Sequence, residues 1–173
     1  IIGLLEANND EDVYIRHAAS LALAQIGNPD ALIALSSNPS RAIRLGAVVA
    51  LRRMKHKGVA SFLHDKEEFV ATEAARAIND DLSIVEALPD LGNALNQTSF
   101  TNEAFVRRAI NANLRVGNDA AMMQLISYSL HESKPASMRA QAVATLSTWP
   151  KPSVLDRVDG RYRGVIKRDP ALV

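Results

Sequence analysis

At 173 residues the chain is long enough for one domain with a sizeable apolar core. It has no cysteine, which excludes disulfides, thiolate metal sites and thiol catalysis, and its formal charge of +1 points to no nucleic-acid or membrane partner. Hydrophobic residues make up 47% but aromatics only 5%, so the core is expected to consist of small aliphatic side chains packed between close helices, and no apolar run approaches the roughly 20 residues of a membrane span.

Taken in order, the chain opens at Ile1-Ile2, without Met and already inside an apolar helical pattern. It reads as a piece of a longer protein, with any signal peptide outside it. Ile1 to Ala7 is expected to be a half helix, and Asn8 to Asp12 a turn whose acids favour the next helix N-terminus. A helix over Val13 to Ile26 stops at Gly27-Asn28-Pro29. Ala31 to Ser36 and Arg41 to Met54 form a second pair; Val59 to Leu63 and Phe69 to Asn79 a third. Ile84 to Leu95 with Glu103 to Val116, then Ala120 to Leu130 with Ala136 to Trp149, complete five pairs. No segment alternates as a strand would.

The second helices share a pattern: an apolar residue, usually Arg, two free positions, two small residues, one free position, a small residue and a large aliphatic. Ile43 to Leu51 states it, and Ile15 to Leu23, Val70 to Ile78, Val106 to Leu114 and Met138 to Leu146 repeat it. Its second slot falls at 16, 44, 71, 107 and 139, in steps of 28, 27, 36 and 32 residues. A repeat at this period predicts an all-α, right-handed α-α superhelix, a solenoid of about five helix pairs over residues 1–149. The expected core is Leu5, Ala19, Leu23, Ile26, Leu35, Ala47, Leu51, Met54, Leu63, Ala74, Ile78, Leu91, Leu95, Ile110, Leu114, Leu125, Val143 and Leu146.

Residues 150–173 differ. Pro150 and Pro152 cannot continue a helix, and six basic residues stand against three acidic ones. This net +3 leaves −2 for the repeats. The tail is expected to be either a linker or a docked cap. In the cap reading Trp149 lies on the core stripe, and Val154, Leu155 and Val158 fold over the end of the stack.

Paired helices with an apolar-Arg-x-x-Ala-Ala-x-Ala-Leu second helix resemble HEAT repeats. More narrowly, Glu73 to Asp80, Arg107 to Asn113 and the passage from Trp149-Pro150 into Asp156 to Gly160 are similar to the HEAT segment of bacterial putative membrane-bound dehydrogenases. Those proteins join a sorbosone-dehydrogenase-like propeller, HEAT repeats and a c-type haem domain with Cys-x-x-Cys-His. The resemblance implies a non-catalytic spacer or docking module of an exported protein, periplasmic or in the cell envelope. It carries no functional residue over, because the haem motif and the propeller are both absent from this sequence.

Candidate chemistry is sparse. Arg16, Arg44, Arg107 and Arg139 occupy one repeat slot, and Arg52, Arg53, Arg76, Arg108 and Arg115 add charge to the same helices. The expected interaction face is Arg16, Arg44, Arg52, Arg76, Arg108, Arg115 and Arg139. One reading is a phosphate-tracking groove, as in HEAT-like DNA glycosylases. The favoured reading pairs each Arg with turn acids of its own or the next repeat, such as Asp12, Asp65 or Glu103, since the repeats are net acidic and no aromatics alternate with the arginines. His17, His56, His64 and His131 lack the spacing of metal ligands, and His131-Glu132 is an isolated pair. Asn79-Asp80-Asp81 and Asn118-Asp119 read as turn residues, not calcium loops. Met122-Met123 reads as core filler. No nucleophile elbow, phosphate loop or chromophore site of a bilin lyase is identifiable. No catalytic, metal or cofactor residue is therefore expected, and partners are expected to be proteins or sister domains.

Overall fold

Side-chain caps start five of the helices in the computed structural model, which describes residues 1–81 and 84–168. The helices are α1 (Ile2–Asn8), α2 (Val13–Ile26), α3 (Pro29–Ala34), α4 (Arg41–Arg53), α5 (Glu68–Asn79), α6 (Leu88–Gln97), α7 (Glu103–Val116), α8 (Asp119–Leu130) and α9 (Ala136–Leu146). Short 3₁₀ turns fill Leu35–Ser37, Lys57–Phe62 and Val85–Ala87. The class is all-α, built of helix pairs; among the described residues the only β-type pairing is an isolated bridge between Leu155 and Tyr162.

The Asp12 carboxylate accepts the Tyr14 and Ile15 amides, while Asn28, Ser40, Asn102 and Asn118 cap α3, α4, α7 and α8 in the same way. Gly27 and Gly117 end α2 and α7 at φ of 71°, a left-handed conformation costly for residues with a Cβ. Pro29 does more than stop α2. It is the first residue of α3, where its missing N–H would have had no helical partner anyway.

Contacts divide the chain into two units. The first holds residues 1–78 and 84–87 among those described, the second 79–81 and 88–168. The sequence reading placed its boundary at residues 149/150, whereas by contacts the tail groups with the second unit. Residues 169–173 of that tail lie outside the described residues.

In the first unit α4 is the central element, with Ala42 to Val48, Ala50 and Leu51 all buried. It packs on α1 and α2 from one pair and on the Lys57–Phe62 turn of the next. Gly46 lets α1 approach: a Cβ there would sit 2.6 Å from Leu5 Cδ1. In the second unit α6 and α7 bury Leu91, Leu95, Phe105, Val106, Ile110 and Leu114, and α8 packs against both α6 and α9.

Thirteen of the eighteen expected core residues are buried, and Leu35, Met54 and Leu146 are half-buried. Two are not core. Ile26 is 64% exposed, at the C-terminal end of α2. Val143 is 54% exposed, on a stripe of α9 that also exposes Ala136, Ala140 and Ser147.

Candidate functional site

Two polar clusters, one in each unit, hold most of the structure's buried charge. The first centres on Arg44 in the second turn of α4. Its side chain and that of Asp65 are each 1% exposed. Arg44 Nε donates to Asp65 Oδ2 at 2.6 Å and a terminal nitrogen to Oδ1 at 3.0 Å. The other terminal nitrogen donates to the carbonyls of Asn38 and Pro39 at 2.8 and 3.1 Å. Asp65 Oδ1 also accepts the Glu67 amide at 2.8 Å. One guanidinium thus ties the turn before its own helix to the turn before α5, in the planar two-pronged geometry that suits Arg and not Lys. Beside it lies an open groove of about 260 Å³ lined by Ser36, Ser37, Ser61, His64 and Lys66, with the Arg44–Asp65 pair at its base.

The second cluster centres on Asp156 of the tail, whose carboxylate is fully buried. Oδ1 accepts the amides of Val158 and Asp159 at 2.8 and 3.2 Å, which closes a tight turn. Oδ2 accepts from Asn111 of α7 at 2.9 Å and from Arg163 Nε at 3.2 Å. Burial alone would raise the Asp156 pKa; the two amides, Asn111 and Arg163 outweigh it and hold the carboxyl below its ordinary value. Arg163 also donates to the carbonyls of Asn79 and Asp81 and to Asp159. Asn111 donates to Asn79 Oδ1 at 2.8 Å. Arg115, lowered in pKa by burial and by the neighbouring Arg163, lies 3.8 Å from Asp156.

Further along the tail, Arg168 stacks 4.3 Å over the Trp149 ring and donates to the carbonyls of Trp149 and Leu114. Trp149 is buried, but the means of docking differs from the expectation. Of the expected apolar cover, Leu155 is 50% and Val154 37% exposed, while Val158 is half-buried beside Ile110 and Thr145, so polar groups hold much of the tail. The Leu155–Tyr162 bridge and the Asp156 turn aim the carboxylate at Asn111 of α7.

The seven expected interaction arginines do not share one role. Arg44 is 1% exposed and is held by Asp65 and the Asn38 and Pro39 carbonyls. Arg16 pairs with Asp10, and Arg76 with Glu73 on its own helix. Asp12, the acid expected near Arg16, caps α2 instead. Arg108 grips Asp80 in a two-pronged pair at 2.8 and 2.7 Å, and Arg115 faces Asp156. Arg107 pairs with Glu103. Arg52 and Arg139 are half-buried, and the Arg139 Nε is buried without a protein partner. Sequence reasoning missed Asn79, Asn111, Asp156 and Arg163. The available signal was Asn111, a polar residue in the slot that Val48 fills in α4.

Little here supports catalysis. Ser133 Oγ lies 3.1 Å from His131 Nδ1, but both are exposed in a turn. Among the described residues no three His, Asp or Glu side chains converge as a metal site, and no helix is long and apolar enough to cross a membrane.

Comparison with known proteins fits this geometry. A family model described as HEAT repeats matches residues 2–79, which cover α1 to α5. No curated protein and no solved structure matches the chain.

Proposed function

We propose that this chain is a non-catalytic interaction or spacer module that displays its helix pairs to a protein or to sister domains. One observation carries the reading: Arg16, Arg44, Arg76, Arg108 and Arg115 all face acids of their own unit, and so serve to tie turns and helices together. The match of residues 2–79 to HEAT repeats supports it, since such repeats generally serve as interaction scaffolds. Partner contacts then fall on exposed helix surface, with Arg52 and Arg139 at its margin.

The host we propose is an exported, dehydrogenase-like protein with a c-type haem domain, in which this segment separates or docks the other domains. Reading the coding sequence on either side tests the host: a downstream Cys-x-x-Cys-His supports it, and its absence removes it. The module itself is tested by titrating the purified chain against duplex DNA and, separately, against the flanking domains. Heat released only with the flanking domains is the expected result. Salt-sensitive DNA binding that falls on Arg52→Ala would replace this reading with a nucleic-acid one.

A further inference from the structure

The last carbonyls of α7 have no partner within the helix, and Leu114 supplies one of them. This end of a helix carries partial negative charge and favours a cation. Arg168 of the tail meets it. A terminal nitrogen donates to the Leu114 carbonyl at 2.5 Å, and Nε donates to the Trp149 carbonyl at 2.9 Å.

Two further features fit the planar group. The guanidinium lies 4.3 Å over the buried Trp149 ring, within range of a cation–π contact. Gly117, which ends α7 at φ of 71°, leaves a gap beside it, since a Cβ there would collide with the Arg168 guanidinium. A ring face and two carbonyls from separate segments suit a flat fork of donors. They suit the compact ammonium of Lys poorly.

The cradle holds this side chain and not the backbone that brings it. Among the described residues, 164–167 make no hydrogen bond, and Val165 is 75% exposed. Arg163, earlier in the tail, is anchored in part by carboxylates of its own segment, Asp156 and Asp159. Arg168 is instead met by carbonyls and a ring face from outside the tail. Any arginine delivered to this point would find the same contacts.

We propose that Trp149, Leu114 and Gly117 form an arginine receptor, a site for a guanidinium group carried on a peptide chain. Arg168 fills it in the intact chain, and an arginine from another segment takes its place once Arg168 is withdrawn. The ligand is peptide-borne for a physical reason besides the nature of its resident. A free arginine would bring its α-carboxylate toward the negative end of α7.

Titrating the full chain carrying Arg168→Ala with N-acetyl-arginine amide tests this, read from the indole N–H resonance of Trp149, the one tryptophan in the sequence. Unchanged circular dichroism confirms folding; Arg168→Lys, which keeps the charge, replaces the variant if it misfolds. The indole and the amides of Leu114 and Gly117 should shift saturably. The wild type should need a several-fold higher concentration, because a tethered arginine competes at about millimolar effective concentration. N-acetyl-lysine amide should give no saturable shift. An equal response to the lysine compound overturns the proposal, and so does a wild type that binds as readily as Arg168→Ala. A response to free L-arginine with none to the blocked amide also overturns it, in favour of an amino-acid site. No saturable shift in the folded variant would mean that Arg168 only caps α7, and the receptor reading falls.

Discussion

The Arg44 cluster of the first unit and the Asp156 cluster of the second do the same job with opposite materials. In the first, the repeat supplies the cation and a turn supplies the acid, and both are sealed under α4 and its neighbours. In the second, the repeat supplies neutral Asn111 and Asn79, and the tail brings both the carboxylate and its main cation, Arg163. The lesson is that a buried charge can be neutralised from within the repeat or imported with the segment that covers it. Only the first kind is bound to the repeat pattern.

The contrast can be broken first at Arg44. Arg44→Ala strands the Asp65 carboxylate in a buried site, so urea unfolding should show a loss of about 3–5 kcal/mol. A paired Arg44→Met, Asp65→Leu chain should recover most of this, because no unpaired charge is left. A loss under about 1 kcal/mol for Arg44→Ala would mean that the pair acts as an exposed one.

Trp149 gives a nearly equal effect in the second unit. Trp149→Ala removes a buried ring and the surface on which Arg168 stacks, and should lower stability by about 3–5 kcal/mol. Hydrogen exchange should place the loss in α7, α9 and the tail. An unchanged melting midpoint would show that the tail is merely tethered.

Acid separates the clusters more finely. The folded Asp156 pKa lies below its unfolded value, so the stability it lends is present above the unfolded carboxylate range, near pH 4, and is lost as pH falls through the folded pKa. Limited proteolysis between pH 7 and 2 should find tail cleavage rising on the acid side. Asp156→Asn should cost about 1.5–3 kcal/mol at neutral pH and remove that part of the pH dependence. If cleavage rises equally with Asn at 156, another group is responsible.

The smallest effects belong to the surface pairs. Arg76→Ala and Arg107→Ala break pairs with Glu73 and Glu103, three and four residues away on the same helices, and each should cost only about 0.2–0.5 kcal/mol. Added salt should abolish these differences and leave that of Arg44→Ala intact.

Much of this was legible beforehand because it is local. The slot pattern from Ile43 to Leu51 gave the helix pairs, Gly27 and Gly117 the ends of α2 and α7, and the acids of Asn8 to Asp12 the start of α2. Pairing of Arg44 with Asp65 was among the expected combinations, since acids stand in the turns. Its burial was not, because burial depends on how far the neighbouring pairs close over α4. The Asp156 cluster was hidden for a stronger reason: Asp156 reaches Asn111 from a tail outside the repeat pattern, 45 residues along the chain.

The sequence by itself determined the order of the helix pairs and the apolar face of most helices, since these follow from side-chain spacing along one chain. The expected Val59 to Leu63 helix is instead a 3₁₀ turn, and the helix expected over Ala136 to Trp149 stops at Leu146. Tertiary structure alone decided which apolar faces found a cover. Ile26 and Val143 satisfy the same pattern as their buried counterparts, yet they stay in water, because apolar burial is a property of two surfaces brought together and the pattern specifies only one of them.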